Sequence, residues 1–417
     1  MPIKVLYIDG DGPFGGASRS LFESVRGFHY GAVEPHFIVS RGTASEIYGQ
    51  VAREMIKTNG MSKFDNTRYG YYRGLRWLIL MRECYHFPFM IWALLSARLR
   101  WKRVDIIHVN EFVYIIPALV AKMLFRAPLV VHVRALTRYP DRSARTRWMI
   151  KIFSRAVDAL VAIDGTVRAT LPNELNVDVI HNSFTYEFEC LPKKEFVDAI
   201  SLIRKDSLKV GFVGNIHRSK GIFEIFEAAK IVKNSGQAVD FLIVGGVTME
   251  DRGLKAWALS KLGFAQNAQA DLVKSVEGAR LDDCFHLLGP TRQIKYFYDR
   301  IDVLLFPSHF DAPGRPVFEA GWSSVPSIVA VDNPTPDTFI HGETGLAIHA
   351  GCPDELAEAI LYFAKNPEEV RRMGENARQL AMSNFHPQKN SKKLLDLYTR
   401  VLRCSKREPT DSSSMPQ

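Results

Sequence analysis

The sequence predicts an α/β protein made of two doubly wound parallel sheets in series, and three observations carry that prediction. Short apolar runs alternate with helical patterns along most of the 417 residues. The alternation occurs twice, on either side of a looser stretch from Phe184 to Ser207. The opening strand of each series runs into glycine, Gly10-Asp11-Gly12 in the first and Gly214-Asn215 in the second. Such strand-end turns are where doubly wound sheets take ligands.

Taken in order, the first series has apolar runs at Lys4–Asp9, His36–Ser40, Ile106–Val109, Leu129–Val133, Ala159–Ile163 and Val177–Ile180. Each is too short for a helix and bounded by turn residues, as buried parallel strands are. The second series repeats the theme at Leu208–Val213, Asp240–Val244, Phe285–Leu288, Asp302–Phe306 and Ser327–Ala330. Helical periodicity follows at Asp354–Phe363, Arg371–Met382 and Lys389–Val401. The boundaries expected from this are a first domain over 1–185, a linker over 186–207 and a second domain over 208–388. A C-terminal helix over 389–404 is expected to cross back to the first domain. The polar tail, 405–417, is expected to be disordered.

Composition excludes several classes. Hydrophobic content of 47% and charged content of 24% are ordinary for a globular protein. No run of 18 apolar residues exists, so no bilayer-spanning helix is expected. The N-terminal apolar run is too short for a signal peptide. Five cysteines, an odd number without a C-x-x-C pair, argue for a reducing compartment and against a disulfide framework or a zinc site. The net charge of +9 is unevenly spread: residues 1–180 hold 25 Lys and Arg against 15 Asp and Glu, and the remainder is nearly balanced. A basic half suits a phosphorylated substrate or an anionic membrane leaflet.

The most informative stretch is Pro307-Ser308-His309-Phe310-Asp311-Ala312-Pro313-Gly314-Arg315-Pro316-Val317-Phe318-Glu319. It follows an apolar strand and enters a helix at Gly314, with Pro316 suited to the first turn. The unpaired N–H groups of such a helix start attract phosphate. Ionised carboxylates only accept hydrogen bonds, so Asp311 and Glu319 suit neutral hydroxyls. Phosphate flanked by two hydroxyl readers describes a nucleotide-sugar site. A second candidate is Gly10-Asp11-Gly12-Pro13-Phe14-Gly15, which reads literally as the G-x-G-x-x-G dinucleotide fingerprint and raises an NADP-dependent oxidoreductase as a rival. The residue after the second strand is Arg41, which suits only a 2′-phosphate.

The Asp311/Glu319 spacing resembles the acid-x7-acid signature of the family 4 retaining glycosyltransferases of the GT-B fold, with Asp311 where Glu is usual. Gly15-Gly16-Ala17-Ser18 is similar to that family's glycine pair before a helix. Val210-Gly211-Phe212-Val213-Gly214-Asn215 through Lys220-Gly221 resembles its Arg-x-x-x-x-Lys-Gly segment, with Asn215 at the Arg position. The resemblance covers about residues 1–400. It implies two Rossmann-like domains facing across a cleft, and transfer of a sugar from a nucleotide-diphosphate donor to an acceptor hydroxyl. Its front-face route needs no metal or other cofactor.

The resemblance assigns donor binding to Gly15, Gly16, Asn215, Gly289, Arg292, Gly314, Arg315 and Glu319. Chemistry is assigned to Asp311 and Lys220, with Arg218 or Arg292 replacing the cation absent at Asn215. On the acceptor side, Pro128-Leu129-Val130-Val131-His132-Val133-Arg134 is similar to the strand that carries an active-site His, and either His132 or Arg134 fills that role. Asn110 and Glu111 would rim the same site. The departures at Asn215, Arg134 and Asp311 keep open a catalytically weak or inactive nucleotide-sugar-binding protein. The expected partners are a nucleotide sugar, an acceptor sugar or lipid-linked acceptor, and an anionic membrane surface, with no nucleic acid. The expected location is the cytoplasm, or peripheral on the inner face of the membrane, in polysaccharide or glycolipid synthesis. Membrane contact is expected at Arg68–Arg76, where Tyr69, Tyr71 and Tyr72 lie among Arg68, Arg73 and Arg76 with Trp77 next, whereas Phe89–Leu99 is expected to pack beneath the sheet.

Overall fold

A computed structural model describes residues 2–70, 72, 77–186, 193–246, 268–291 and 293–405. The chain divides into two compact units, Met1–Thr185 with Phe385–Gln417, and Tyr186–Asn384. The first unit holds strands β1 (Ile3–Asp9), β2 (Val33–Ser40), β3 (Glu54–Thr58), β4 (Ile106–Val109), β5 (Leu129–Val133), β6 (Ala159–Ala162) and β7 (Val177–Val179). They form a parallel sheet in the order β3-β2-β1-β4-β5-β6-β7. The second unit holds β8 (Leu208–Val213), β9 (Val239–Val244), β10 (Phe285–Gly289), β11 (Val303–Phe306), β12 (Ser327–Ala330) and β13 (Gly345–Ile348). These are parallel too, in the order β10-β9-β8-β11-β12-β13. In both sheets the order reverses beside the first strand of the unit, between β1 and β4 and between β8 and β11. Doubly wound sheets bind ligands at the strand C-termini on either side of such a reversal.

The interior strands are buried on both faces, which explains their unbroken apolar runs: every residue of β4, β5, β9, β11 and β12 is buried. The unpredicted strands, β3 and β13, are edges. Edge strands need no long apolar run, and Glu54-Met55-Ile56-Lys57-Thr58 alternates too weakly to announce itself.

The stretch expected to be a linker folds with the second unit. Its helix Lys194–Ser201 buries Phe196 and Ile200 against Phe297, Tyr298 and Leu304. The C-terminal helix runs Pro387–Ser405 and joins the first unit, where Leu394, Leu397, Tyr398 and Val401 share a core with Val5, Tyr7, Leu21 and Phe37. Ser391 Oγ donates to the Ser24 carbonyl at 2.8 Å. The expected disordered tail, apart from Ser405, lies outside the described residues.

The expectation for Phe89–Leu99 holds for one face only. Helix Ile79–Trp101 buries Met90, Ala93, Leu94, Ala97 and Trp101, yet leaves Trp92, Leu95 and Leu99 exposed. Of the Arg68–Arg76 stretch, Tyr71, Arg73, Gly74, Leu75 and Arg76 lie outside the described residues.

Candidate functional site

The second unit carries four of the eight expected donor residues, Asn215, Gly314, Arg315 and Glu319, in the segments that follow β8 and β11. After β8 the chain passes exposed Asn215 and reaches Lys220-Gly221. Gly221 has φ +76°, and a Cβ there would lie 2.0 Å from the Pro307 carbonyl oxygen. Only glycine satisfies both conditions, so the loop after β8 is pressed onto the loop after β11. Two hydrogen bonds fix the contact: His309 N–H donates to the Ser219 carbonyl at 3.1 Å, and His309 Nε2 pairs with Glu224 Oε1 at 2.8 Å.

This places the Lys220 ammonium 4.7 Å from the Phe310 ring centroid and 5.9 Å from that of Phe306. Burial holds its pKa below the usual lysine value. Among the described residues no carboxylate pairs with it. A partly desolvated cation resting on aromatic faces is poised for an anion that brings the missing counter-charge.

The β11 loop then turns at Asp311, whose φ is +45° and whose Oδ1 accepts from the Asp332 N–H at 3.0 Å. Helix Arg315–Trp322 follows, with Gly314 as its N-cap. A Cβ on Gly314 would sit 2.4 Å from the Phe306 ring, so this glycine lets the helix start lie against the strand end. Glu319, one turn in, is buried. Arg315 Nε donates to its Oε1 at 2.5 Å and the Tyr298 hydroxyl to its Oε2 at 3.1 Å. A carboxylate with two such donors keeps further lone pairs for ligand hydroxyls. Gly289 ends β10 at φ +72°, and its carbonyl accepts from Gly245 N–H at 3.1 Å.

Arg218 is one of the two residues expected to replace the cation absent at Asn215. It is half exposed, its guanidinium lies 4.1 Å over the Phe223 ring, and Nη2 is 3.7 Å from Asp271. Its described partners therefore belong to helix surfaces, not to the β11 loop. Arg292 lies outside the described residues.

In the first unit Gly15 caps helix Gly16–Arg26, and among the described residues no atom beyond the local backbone lies within 4 Å of a Cβ built on either Gly15 or Gly16. The helix start is open, as close approach of an anion requires. Behind it, Asp9 is fully buried and accepts from Ser18 Oγ at 2.8 Å and from the Tyr48 hydroxyl at 2.5 Å. Asp11 pairs with Lys63 at 2.8 Å and accepts from the Tyr114 hydroxyl at 2.7 Å.

Arg134 and His132 take different parts. Arg134 follows β5 and is held by protein acceptors: Nε donates to the Asn110 carbonyl and side-chain oxygens at 2.9 and 2.8 Å, and Nη1 to Asn182 Oδ1 at 2.5 Å. Its backbone N–H donates to Glu111 at 3.2 Å. Burial pushes Glu111 up to about 8 and Arg134 down to about 10. His132 is buried, with Nδ1 2.7 Å from His108 Nε2. His108 Nδ1 meets the Tyr398 hydroxyl of the C-terminal helix. Burial lowers His108 to about 3 and His132 well below its usual value, so both rings are neutral. Arg134 Nη2 approaches His132 Nδ1 at 3.5 Å, which suits an accepting nitrogen. His108 Nε2 is then the donor to His132, and His108 Nδ1 accepts from Tyr398. His132 thus supports Arg134 from behind, and of the two Arg134 is the more exposed.

Sequence reasoning missed Tyr298, Tyr398, Tyr48, Asp9 and Lys63. Asp9 and Asp11, two acids bracketing a glycine at a strand end, were a usable signal. The tyrosines gave none, because they reach these groups across the fold.

Two family sequence profiles match the chain, "Glycosyl transferases group 1" over residues 193–380 and "Glycosyltransferase Family 4" over residues 14–187. The capsular polysaccharide biosynthesis glycosyltransferase CapM of Staphylococcus aureus is 25% identical over 222 residues, 53% of this chain and 54% of CapM. The lipopolysaccharide core biosynthesis mannosyltransferase LpsB of Rhizobium meliloti is 23% identical, over 73% of this chain and 83% of LpsB. This chain spans about half the length of the first curated relatives it matches. Among solved structures, Anabaena HepE in complex with UDP superposes with a TM-score of 0.72 at 17% identity, covering 95% of this chain and 100% of HepE. Two consecutive parallel sheets of this strand order, matched over both units, make the chain a member of the family 4, group 1 glycosyltransferases with the GT-B fold.

Proposed function

We propose that the protein transfers a sugar from a nucleotide-diphosphate donor to an acceptor hydroxyl, with retention of anomeric configuration, in polysaccharide or lipopolysaccharide assembly. The observation that carries this is the Lys220 ammonium, partly buried on Phe310 and without a carboxylate partner among the described residues, beside the loop that leads to a helix start and to Glu319. A diphosphate supplies the counter-charge, and the carboxylate takes the ribose hydroxyls. As the sugar–phosphate bond breaks, charge builds on the leaving phosphate, and Lys220 with the Arg315 N–H offsets it. That phosphate accepts the acceptor's proton, so no metal is required. The names of CapM and LpsB support a saccharide acceptor, and the HepE complex with UDP supports uracil as the first base to try.

A binding protein with weak turnover is the second reading, favoured by exposed Asn215 at the usual Arg position and by Arg218 lying on Phe223. The experiment is to incubate the protein with UDP-, GDP- and ADP-sugars and follow release of nucleoside diphosphate, then to read the product's anomeric configuration by NMR. Release with an α-linked product from an α-linked donor supports the proposal. Tight binding without release supports the second reading, and an inverted product refutes retention.

A further inference from the structure

Helix Ile79–Trp101 has two apolar faces, and the fold covers one. Met90, Ala93, Leu94, Ala97 and Trp101 face inward. On the opposite side Leu78, Met81, Tyr85, Trp92, Leu95 and Leu99 recur at spacings of three, four and seven, and all are exposed, Met81 by 72%, Trp92 by 61% and Leu99 by 81%. A surface helix normally turns polar residues outward, and one that is apolar all round is normally buried. Single exposed hydrophobics need no explanation, but a continuous stripe along a helix of 23 residues does. At 23 residues the helix is long enough to cross a bilayer but not apolar enough. The stripe therefore lies along an apolar medium or partner instead of passing through it.

Charge selects the occupant. From Trp77 to Arg103 the chain holds Arg82, Arg98, Arg100, Lys102 and Arg103 against one acid, Glu83, which is buried and pairs with Arg82. Arg98 spends its guanidinium on the neutral Leu124 and Lys102 carbonyls, and among the described residues only Arg100 finds an outside acid, Glu54 at 2.6 Å. A second copy of this chain docked through the same stripe would set these cations against their own images, with no exposed acid on the helix to answer them. Aromatic and aliphatic side chains flanked by cations suit the boundary of an anionic bilayer, where the apolar face enters the headgroup layer and Lys and Arg meet lipid phosphate.

We propose that the outer face of helix Ile79–Trp101 is a docking surface for an anionic lipid leaflet. The inference stands on this helix alone and not on the sugar-transfer reading. The test uses the full chain with vesicles of phosphatidylcholine alone or mixed with phosphatidylglycerol. The wild type sediments with the anionic vesicles, high salt releases it, and Trp fluorescence shifts to the blue on binding. Replacing Met81, Trp92 and Leu99 together by Ser lowers partitioning roughly ten-fold or more, as does Lys102→Gln with Arg103→Gln. All these side chains point to solvent, so melting temperature and nucleotide affinity stay at wild-type values in both variants. Failure to sediment, equal sedimentation with neutral vesicles, or unchanged partitioning of the serine variant overturns the proposal. So does a dimer in analytical ultracentrifugation that the serine variant abolishes, which assigns the stripe to a second copy.

Discussion

At Glu319 a structural ion pair and the proposed ribose contact fall on one side chain. Its carboxylate is buried and answers both Arg315 and Tyr298. Truncation to Ala would leave a partly buried guanidinium without its carboxylate and confuse folding with function, so Glu319→Gln is the cleaner probe. It keeps the shape, removes the charge and should weaken nucleotide binding about ten-fold or more, since a hydrogen bond to a charged group contributes about 1.5–3 kcal/mol. Unchanged affinity by calorimetry contradicts the ribose assignment. Glu111 makes a different prediction. Its folded pKa, raised by burial to about 8, exceeds the unfolded value of 4.5, so between those values the folded state holds a proton that the unfolded state has lost. Stability therefore falls as pH rises through that window, by about 1.4 kcal/mol for each pH unit. Glu111→Gln should lack this slope, and its melting temperature should gain on the wild type from pH 5 to pH 8. Parallel pH profiles contradict it. The spacing of Asp311 and Glu319 and the position of Lys220-Gly221 were legible because they are local patterns. The engagement of Arg218 with Phe223 and Asp271 was not, because charge at a sequence position does not say which way a long side chain turns.

Among the elements, the loops after β8 and β11 hold the site by one close contact. Gly221→Ala puts a Cβ 2.0 Å from the Pro307 carbonyl at φ +76°, so the two loops must part. The cost should exceed about 1 kcal/mol, a fall of roughly 2–4 °C or more in a unit of this size. Nucleotide affinity should drop as well, because Lys220 rides on that loop. A variant that melts and binds like the wild type sinks this account of the loop. Interior strands were readable from sequence because burial on both faces demands unbroken apolar runs. The edges β3 and β13 escaped because one side of each has no neighbour and the demand relaxes. Helix Ile79–Trp101 was half read: an apolar pattern announces that a face exists, and two stripes require the fold to tell which one is covered.

At the scale of the whole molecule the chain is two doubly wound units. The first is completed by a helix from the far end of the sequence, which sends Tyr398 to His108 and so reaches the support of Arg134. Contacts this distant leave no trace in local periodicity, although a helix after the last strand was visible. The first 180 residues carry the whole excess of positive charge, in keeping with an acceptor or surface bearing phosphate. The central claim is that Lys220 neutralises the diphosphate of a nucleotide donor, and titration calorimetry of UDP, GDP and ADP into the wild type and Lys220→Ala tests it most directly. One-to-one binding of at least one of these nucleotides to the wild type is the expected result. In the variant, affinity should fall by roughly ten-fold or more, with the loss of a charged hydrogen bond, while the melting temperature of the free protein holds or rises. Binding of equal strength in both proteins, or no binding of any nucleoside diphosphate to the wild type, would contradict it.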